Sequence, residues 1–177
     1  MITITIPEVD LFNSQTFEFE TYLGGDFTFN HCLASISKWE ALWKVPFLTT
    51  TLNEHQLLDY YLCMCRTPGL TYEHITDDVT YQLSKYMEDT HTATRIQNDD
   101  NSSSGSTQAL TSELIYSLMS AVNVPYECDQ WNIHRLMMLL RVISIQQSPK
   151  KKMSNHEILK QNHDLNEQRK KQYNTKG

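Results

Sequence analysis

Histidine and cysteine are the residue types in this chain that could hold a metal ion, and their spacing indicates whether they do. The chain has 7 His and 4 Cys, but no two of them show the C-x-x-C, H-x-x-x-H or HExxH spacing of common zinc sites. Cys63 and Cys65 stand two apart on a predicted helix, so their thiols point to opposite sides, and His31 and Cys32 are adjacent. We therefore expect reduced thiols, no bound metal and no cofactor.

Nucleophiles and paired carboxylates are the other groups that could carry chemistry. A catalytic nucleophile needs a base and an oxyanion donor beside it, and the sequence has no GxSxG or comparable motif. Its 5 glycines form neither a GxGxxG nor a P-loop arrangement. Solvated charge explains the acidic pairs, which fall on an exposed strand face, a helix start and a loop, so no enzyme is expected. These pairs are Glu18 and Glu20, Asp77 and Asp78, and Asp99 and Asp100.

Charge is distributed unevenly along the chain. Residues 1–145 hold 7 Lys and Arg against 18 Asp and Glu, a net of −11, and residues 146–177 hold 8 against 3, a net of +5. An acidic body resists nonspecific contact with nucleic acid, whereas a basic end attracts polyanions or acidic protein surfaces. The sequence therefore predicts a folded acidic body over residues 1–148 and a basic helical tail over residues 149–177.

The cations of the tail are the one electrostatic signal for nucleic acid. Phosphate contacts need positive charge, but specific recognition also needs a shaped fold or stacking aromatic side chains, and Tyr173 is the single aromatic residue of the tail. We expect a solvated or protein-binding extension in preference to a nucleic-acid site. The candidate partner-binding cations are Lys150, Lys151, Lys152, Arg169, Lys170 and Lys171.

Membrane insertion and secretion are not indicated by the sequence. No apolar run approaches the ~20 residues that a bilayer span requires, and the first ten residues, MITITIPEVD, have no basic leader. We expect no membrane partner and a protein that stays in the compartment where it is made.

Alternation near the start of the chain predicts a small antiparallel sheet or hairpins. Residues 2–6 (ITITI) place three isoleucines on one face of a strand. Residues 16–20 (TFEFE) place two phenylalanines on one side and two glutamates on the other, and residues 7–15 can return the chain between these segments. Residues 26–30 are a further candidate strand. We expect one face of this sheet to lie on the core and the other in water.

Apolar residues at intervals of three and four predict amphipathic helices over most of the remaining chain. A capping box at Asn53 and capping side chains at Thr76 and Thr111 mark the starts of three of them. Residues 91–96 and 106–110 flank a polar stretch and predict a hairpin. The predicted helices cover residues 31–43, 53–65, 76–87, 111–122 and 131–145.

The helix predicted over residues 131–145 is apolar on nearly every side. Such a helix is either the centre of the fold or partly a surface for a partner. Methionine on this helix would adapt to varied surfaces. The alternative is that the candidate contact residues all belong to the core, and both interpretations stay open. These candidates are Leu136, Met137, Leu140 and Ile143.

The tail predicts a polar helix that begins at a capping box of Ser154 and Glu157. Its large apolar residues are Ile158, Leu159 and Leu165, which complete the candidate contact set. At ~25 cal/mol per Å2 their burial supplies only a few kcal/mol, little against the entropy of ordering such a segment. We expect this helix to project or to fold onto a partner. The predicted fold class is mainly α (α+β), a helical body with a small antiparallel N-terminal sheet and a projecting C-terminal helix.

Five blocks of the sequence resemble the tail assembly chaperones of long-tailed, siphovirus-type phages of Gram-positive bacteria. The blocks occur in the expected order and span most of the chain, and two of them are long and aromatic-rich, whereas QNDDNSSSGS (residues 97–106) matches no block. They are SISKWEALWKVPFL (35–48), TSELIYSLM (111–119), VPYECDQWNIHRLMMLLRV (124–142), KKMSNHEIL (151–159) and NEQRKKQYNTKG (166–177).

The resemblance implies that the protein binds the long, apolar, helix-rich tape measure protein, keeps it soluble, and helps recruit major tail tube subunits around it during virion morphogenesis. It implies action in the host cytoplasm and absence from the mature virion. Members of the family often make a longer form by a programmed frameshift, for which Lys176 and Gly177 would suit a slippery site. That longer form and further copies of the chain, as a homo-oligomer, are additional candidate partners.

Two other functions stay open. One is a small regulator that binds nucleic acid through the basic tail, and the other is a minor structural protein of the virion. Retention on a nucleic-acid column would favour the first, and the presence of the protein in purified particles would favour the second.

Overall fold

The structure is a computed structural model that describes residues 1–96, 109–147 and 155–173. These residues form six α-helices and two antiparallel sheets of two strands each, so the α+β class expected from the sequence is confirmed. The chain divides into two compact units, Met1–Ile143 and Ser144–Gly177. This division falls inside the fifth helix, whereas the boundary predicted between residues 148 and 149 lies outside the described residues.

The first sheet pairs β1 (Ile2–Ile6) with β4 (Gly25–Phe29) in antiparallel register, with Ile4 opposite Phe27. Both of these side chains are buried, and the threonines of β1 are exposed between its isoleucines. The strand predicted from the ITITI alternation is therefore confirmed. β1 pairs with β4, which overlaps the candidate strand over residues 26–30, and not with the TFEFE segment over residues 16–20.

A separate hairpin joins β2 (Val9–Asn13) and β3 (Glu18–Tyr22). Residues 7–15 were predicted to be a connection, but β2 lies within them. The TFEFE strand was expected to have one face on the core, and this is wrong, because Phe17 and Phe19 are largely exposed and residues 18–21 are exposed on both faces. Alternation shows which side chains share a face of a strand, but not which face the rest of the chain covers.

Three helices follow the sheets: α1 (Leu33–Trp43), α2 (Glu54–Met64) and α3 (Asp77–Glu88). The predicted capping box is confirmed, because Asn53 Oδ1 accepts from the Gln56 N–H at 2.9 Å and Gln56 Oε1 accepts from the Asn53 N–H at 3.0 Å. The hydroxyl of Thr76 caps α3, as predicted, by accepting from the Val79 N–H. α1 ends where Lys44 adopts a left-handed φ of 59°.

The remaining helices are α4 (Ser112–Ala121), α5 (Ile133–Gln147) and α6 (Asn155–Tyr173). Thr111 caps α4 through the Leu114 N–H, as predicted. Residues 91–96 form no strand, so the first arm of the predicted hairpin is wrong. His91 has a left-handed φ of 48°, and the Asp89 and Thr92 side chains accept from the N–H groups of His91 and Thr94 in local turns. The second arm lies outside the described residues except for 109 and 110. Ser154 of the predicted capping box in the tail lies outside them too.

The core is built from the first sheet and the inward faces of α1 to α5. Among its largest fully buried side chains are Trp39, Tyr60 and Tyr61. The ring N–H of Trp39 donates to the Gln56 carbonyl at 2.7 Å, so the buried indole is hydrogen-bonded. Of the six helices whose residues the structure describes, none is both long enough and apolar enough to cross a membrane.

Candidate protein-interaction surface

Three phenylalanine side chains cluster in solvent on the β2–β3 hairpin. Phe12, Phe17 and Phe19 expose 54%, 79% and 71% of their surfaces. The Phe12 ring meets the Phe19 ring edge to face at a centroid distance of 5.3 Å, and it meets the Phe17 ring at 6.3 Å. We call these three residues the aromatic face. Contiguous exposed apolar side chains of this kind mark interaction sites on folded proteins.

The local sequence explains why the three rings meet. Phe12 lies directly opposite Phe19 in the hairpin register, so their side chains leave the sheet on the same side. The turn brings Phe17 to them, because its N–H donates to the Asn13 carbonyl at 2.8 Å while its own φ is 59°. The side-chain oxygen of Asn13 also accepts from the Gln15 N–H at 2.9 Å, which stabilises the turn.

Carboxylates lie around the aromatic face. Asp10 accepts from the Thr21 hydroxyl at 2.6 Å across the hairpin, and Glu20 accepts from the Tyr22 hydroxyl at 3.1 Å. The hydrogen bond to Glu20 raises the pKa of Tyr22, so this hydroxyl stays protonated and donates. No Lys or Arg precedes Lys38 in the sequence. The hairpin therefore carries carboxylates and no Lys or Arg side chain.

The four candidate contact residues on α5 divide into two pairs. Leu136 and Leu140 are buried in the core, which agrees with the alternative that they are core residues. Met137 and Ile143 are partly buried and pack against that core. Because packing within the chain occupies the two leucines, a contact role among these four candidates fits Met137 and Ile143, and Ile145, which was not a candidate, is more exposed on α5 at 52%.

The candidate residues of the tail fall partly on α6. Leu159 and Leu165 are exposed there, and so are Arg169 and Lys170. The backbone of α6 includes Ile158 and Lys171. The other three candidates lie outside the described residues. These are Lys150, Lys151 and Lys152.

The groups that could bind a metal are dispersed. Within residues 1–96, 109–147 and 155–173, no three His, Cys, Asp or Glu side chains could hold one ion. The four cysteines are free thiols. Burial raises the pKa of Cys63 and of Cys65, so both thiols are protonated and weakly nucleophilic near neutral pH.

His31 and Tyr60 form a hydrogen-bonded pair inside the fold. The Tyr60 hydroxyl lies 2.5 Å from His31 Nδ1. Burial, together with the nearby His134 ring, lowers the pKa of His31 to about 3, and burial raises the pKa of Tyr60. The neutral imidazole therefore accepts from the phenol. Since both side chains are buried, this pair supports the fold and is closed to a substrate.

A cleft of about 520 Å3 opens between the β3–β4 connection and residues 67–71. The buried histidine on its wall is fully engaged, because His74 Nε2 donates to the Leu23 carbonyl at 3.2 Å and Nδ1 accepts from the Thr71 N–H at 3.1 Å. This cleft therefore presents no free imidazole nitrogen for acid or base chemistry.

The aromatic face was not among the predicted contact residues, although the sequence contains one signal for it. A polar turn, NSQT, stands between two segments, VDLF and FEFE, that each contain Phe and an acidic residue, which indicates a hairpin closed on itself.

Comparison with protein-family models, curated proteins and solved structures finds no match for this chain.

Proposed function

We propose that this chain is a phage tail assembly chaperone that binds the tape measure protein, keeps it soluble in the host cytoplasm and helps recruit major tail tube subunits around it. The aromatic face carries the proposal, since it is an exposed apolar surface that the described core does not use. The five sequence blocks supply the identity of the client.

The strength of binding that the aromatic face can provide suits a temporary partner. Covering a phenylalanine side chain that is more than half exposed contributes roughly 1.5–2 kcal/mol, so the three rings together contribute about 5 kcal/mol. A free energy of this size corresponds to weak, reversible association. A chaperone that is absent from the finished tail has to release its client, and a surface of this strength allows release.

The length of the client compensates for weak binding at each site. A long helix-rich protein presents many apolar segments, and several chaperone copies can cover them at once, so that the exposed fraction of the client stays small. The acidic body of the chaperone then keeps the assembly soluble, because residues 1–145 carry a net charge of −11.

Coexpression tests the function. A tape measure fragment that is insoluble alone is expressed with this chain, and we expect the fragment to move to the supernatant and to retain the chain through an affinity tag on the fragment. An unrelated acidic protein of similar size and charge, expressed at the same level, controls for charge alone. The proposal fails if the fragment pellets equally with both proteins.

A further inference from the structure

The aromatic face is bordered by negative charge that the chain does not neutralise. Four acidic side chains, those of Glu8, Asp10, Glu18 and Glu20, lie on or next to the hairpin, and no Lys or Arg lies among the first 37 residues. Within the described part of the chain, none of these four carboxylates forms an ion pair. A partner that covers the three rings must therefore enter a negative electrostatic potential.

These carboxylates lie on both sides of the sheet. Asp10 is two residues from Phe12 on β2, so it shares the face of the rings. Glu18 and Glu20 flank Phe19 on β3, so their side chains leave the sheet on the opposite face. Glu20 also accepts from the Asn13 side-chain amide at 2.6 Å. Asp10 thus lies on the side that a partner of the rings would cover, and Glu18 and Glu20 add to the negative potential around it.

We infer that the aromatic face binds an amphipathic helix whose apolar stripe is flanked by Lys or Arg. The inference rests on the proposed function, because it names the chemistry of the client segment that the same surface takes. The ring centroids stand 5.3 Å and 6.3 Å apart, close to the ~6 Å rise between positions i and i+4 of a helix, whose side chains share one face. Successive apolar side chains of a helix can therefore meet successive rings.

Lysine and arginine side chains suit both the apolar rings and the carboxylates next to them. Their aliphatic stems pack along apolar surface while the cationic ends reach outward to the carboxylates. A helix flanked by Asp or Glu would bring like charges together at the same positions, which disfavours its association. The hairpin therefore selects among apolar helices by charge.

The test uses two synthetic helical peptides of equal length with the same leucine stripe, one flanked by lysine and one by glutamate. Their binding to the full chain is followed by fluorescence anisotropy. We expect the lysine peptide to bind at least tenfold more tightly, and we expect its binding to weaken as the salt concentration rises. Equal binding of both peptides overturns the inference.

A charge-reduced variant, in which three of the four carboxylates are replaced by amides, tests whether the hairpin is the source of this preference. In the variant Glu8→Gln/Asp10→Asn/Glu18→Gln, Glu20 stays unchanged because it holds Asn13 and Tyr22. We expect the preference for the lysine peptide to fall below threefold. The matched control Glu88→Gln/Glu127→Gln/Glu167→Gln removes as much charge from exposed positions elsewhere and should keep the preference. The same loss in both variants overturns the inference.

The same charge-reduced variant separates this inference from the proposed function. If it solubilises the tape measure fragment as well as the wild-type chain does, the selection by charge is wrong and the chaperone function stands. If the wild-type chain fails to solubilise the fragment yet binds the lysine peptide selectively, the function is wrong and the chemistry of the surface stands.

Discussion

Glu40 on α1 and Ser112 at the start of α4 are joined by a buried hydrogen bond, in which the carboxylate Oε2 accepts from the Ser112 N–H at 2.7 Å. The other oxygen, Oε1, accepts from the N–H of Phe47, where a short 3-10 helix begins, at 2.8 Å. One buried carboxylate thus satisfies N–H groups at the starts of two helical segments, which have no partner within those segments. Its negative charge also suits the positive end of the α4 dipole.

Replacing this carboxylate by an amide should weaken the fold. Glu40→Gln keeps the shape of the side chain but exchanges one acceptor oxygen for an NH2 group, so one buried N–H faces a donor. We expect the free energy of unfolding, measured by urea denaturation, to fall by about 1–3 kcal/mol. The exposed control Glu127→Gln should change it by less than about 0.5 kcal/mol. An equal effect of the two substitutions would contradict the role assigned to Glu40.

The buried imidazole of His31 makes stability depend on pH. Burial lowers its pKa to about 3 in the folded state, against about 6.5 for an ordinary histidine. The unfolded chain therefore binds a proton below pH 6.5 that the folded chain does not bind until about pH 3. Stability is lost as the pH falls through this window, and the loss from this residue between pH 7 and pH 5 is about 2 kcal/mol.

The comparison of two histidine variants isolates this contribution. His31→Gln retains an acceptor for the Tyr60 hydroxyl but does not titrate, so its free energy of unfolding should fall by about 2 kcal/mol less than that of the wild type between pH 7 and pH 5. His163→Gln, at an exposed position, should keep the wild-type pH dependence. If His31→Gln and the wild type lose stability in parallel, His31 is not the group responsible.

Gly24, which connects β3 to β4, and Gly25, the first residue of β4, should respond differently to substitution. A Cβ atom on Gly24 would lie 2.5 Å from backbone atoms of Ile6, Pro7 and Glu8, whereas a Cβ on Gly25 would meet nothing within 4 Å. We expect Gly24→Ala to cost about 1–3 kcal/mol and Gly25→Ala less than about 0.5 kcal/mol in thermal unfolding followed by circular dichroism. Comparable losses in the two variants would show that the chain does not pack closely at Gly24.

Local signals in the sequence were sufficient to predict the starts of α2, α3 and α4. A capping side chain acts on an N–H group three residues later, so Asn53, Thr76 and Thr111 could be recognised without knowledge of the tertiary structure. The ITITI alternation is equally local and predicted β1. The pairing of β1 with β4 could not be chosen in this way, because pairing between distant segments depends on competition among all the strands of the chain.

Burial was harder to predict than secondary structure. The apolar pattern of α5 could not separate Leu136, which is fully buried, from Met137, which is partly exposed, since this depends on what packs against each side of the helix. The exposure of Phe17 and Phe19 could not be predicted for the same reason. The hydrogen bond between Glu40 and Ser112 joins residues 72 positions apart, and no sequence pattern predicts it.

The most direct test of the central claim is the soluble fraction of a coexpressed tape measure fragment, measured with variants of the aromatic face. The variant Phe12→Ser/Phe17→Ser/Phe19→Ser should keep the unfolding transition of the core, since its three rings lie outside the core. The matched control Tyr81→Ser/Leu118→Ser/Tyr126→Ser removes three exposed apolar side chains elsewhere. We predict that the fragment pellets with the first variant and stays soluble with the control. Full solubility with the folded first variant would contradict the claim that this surface holds the client.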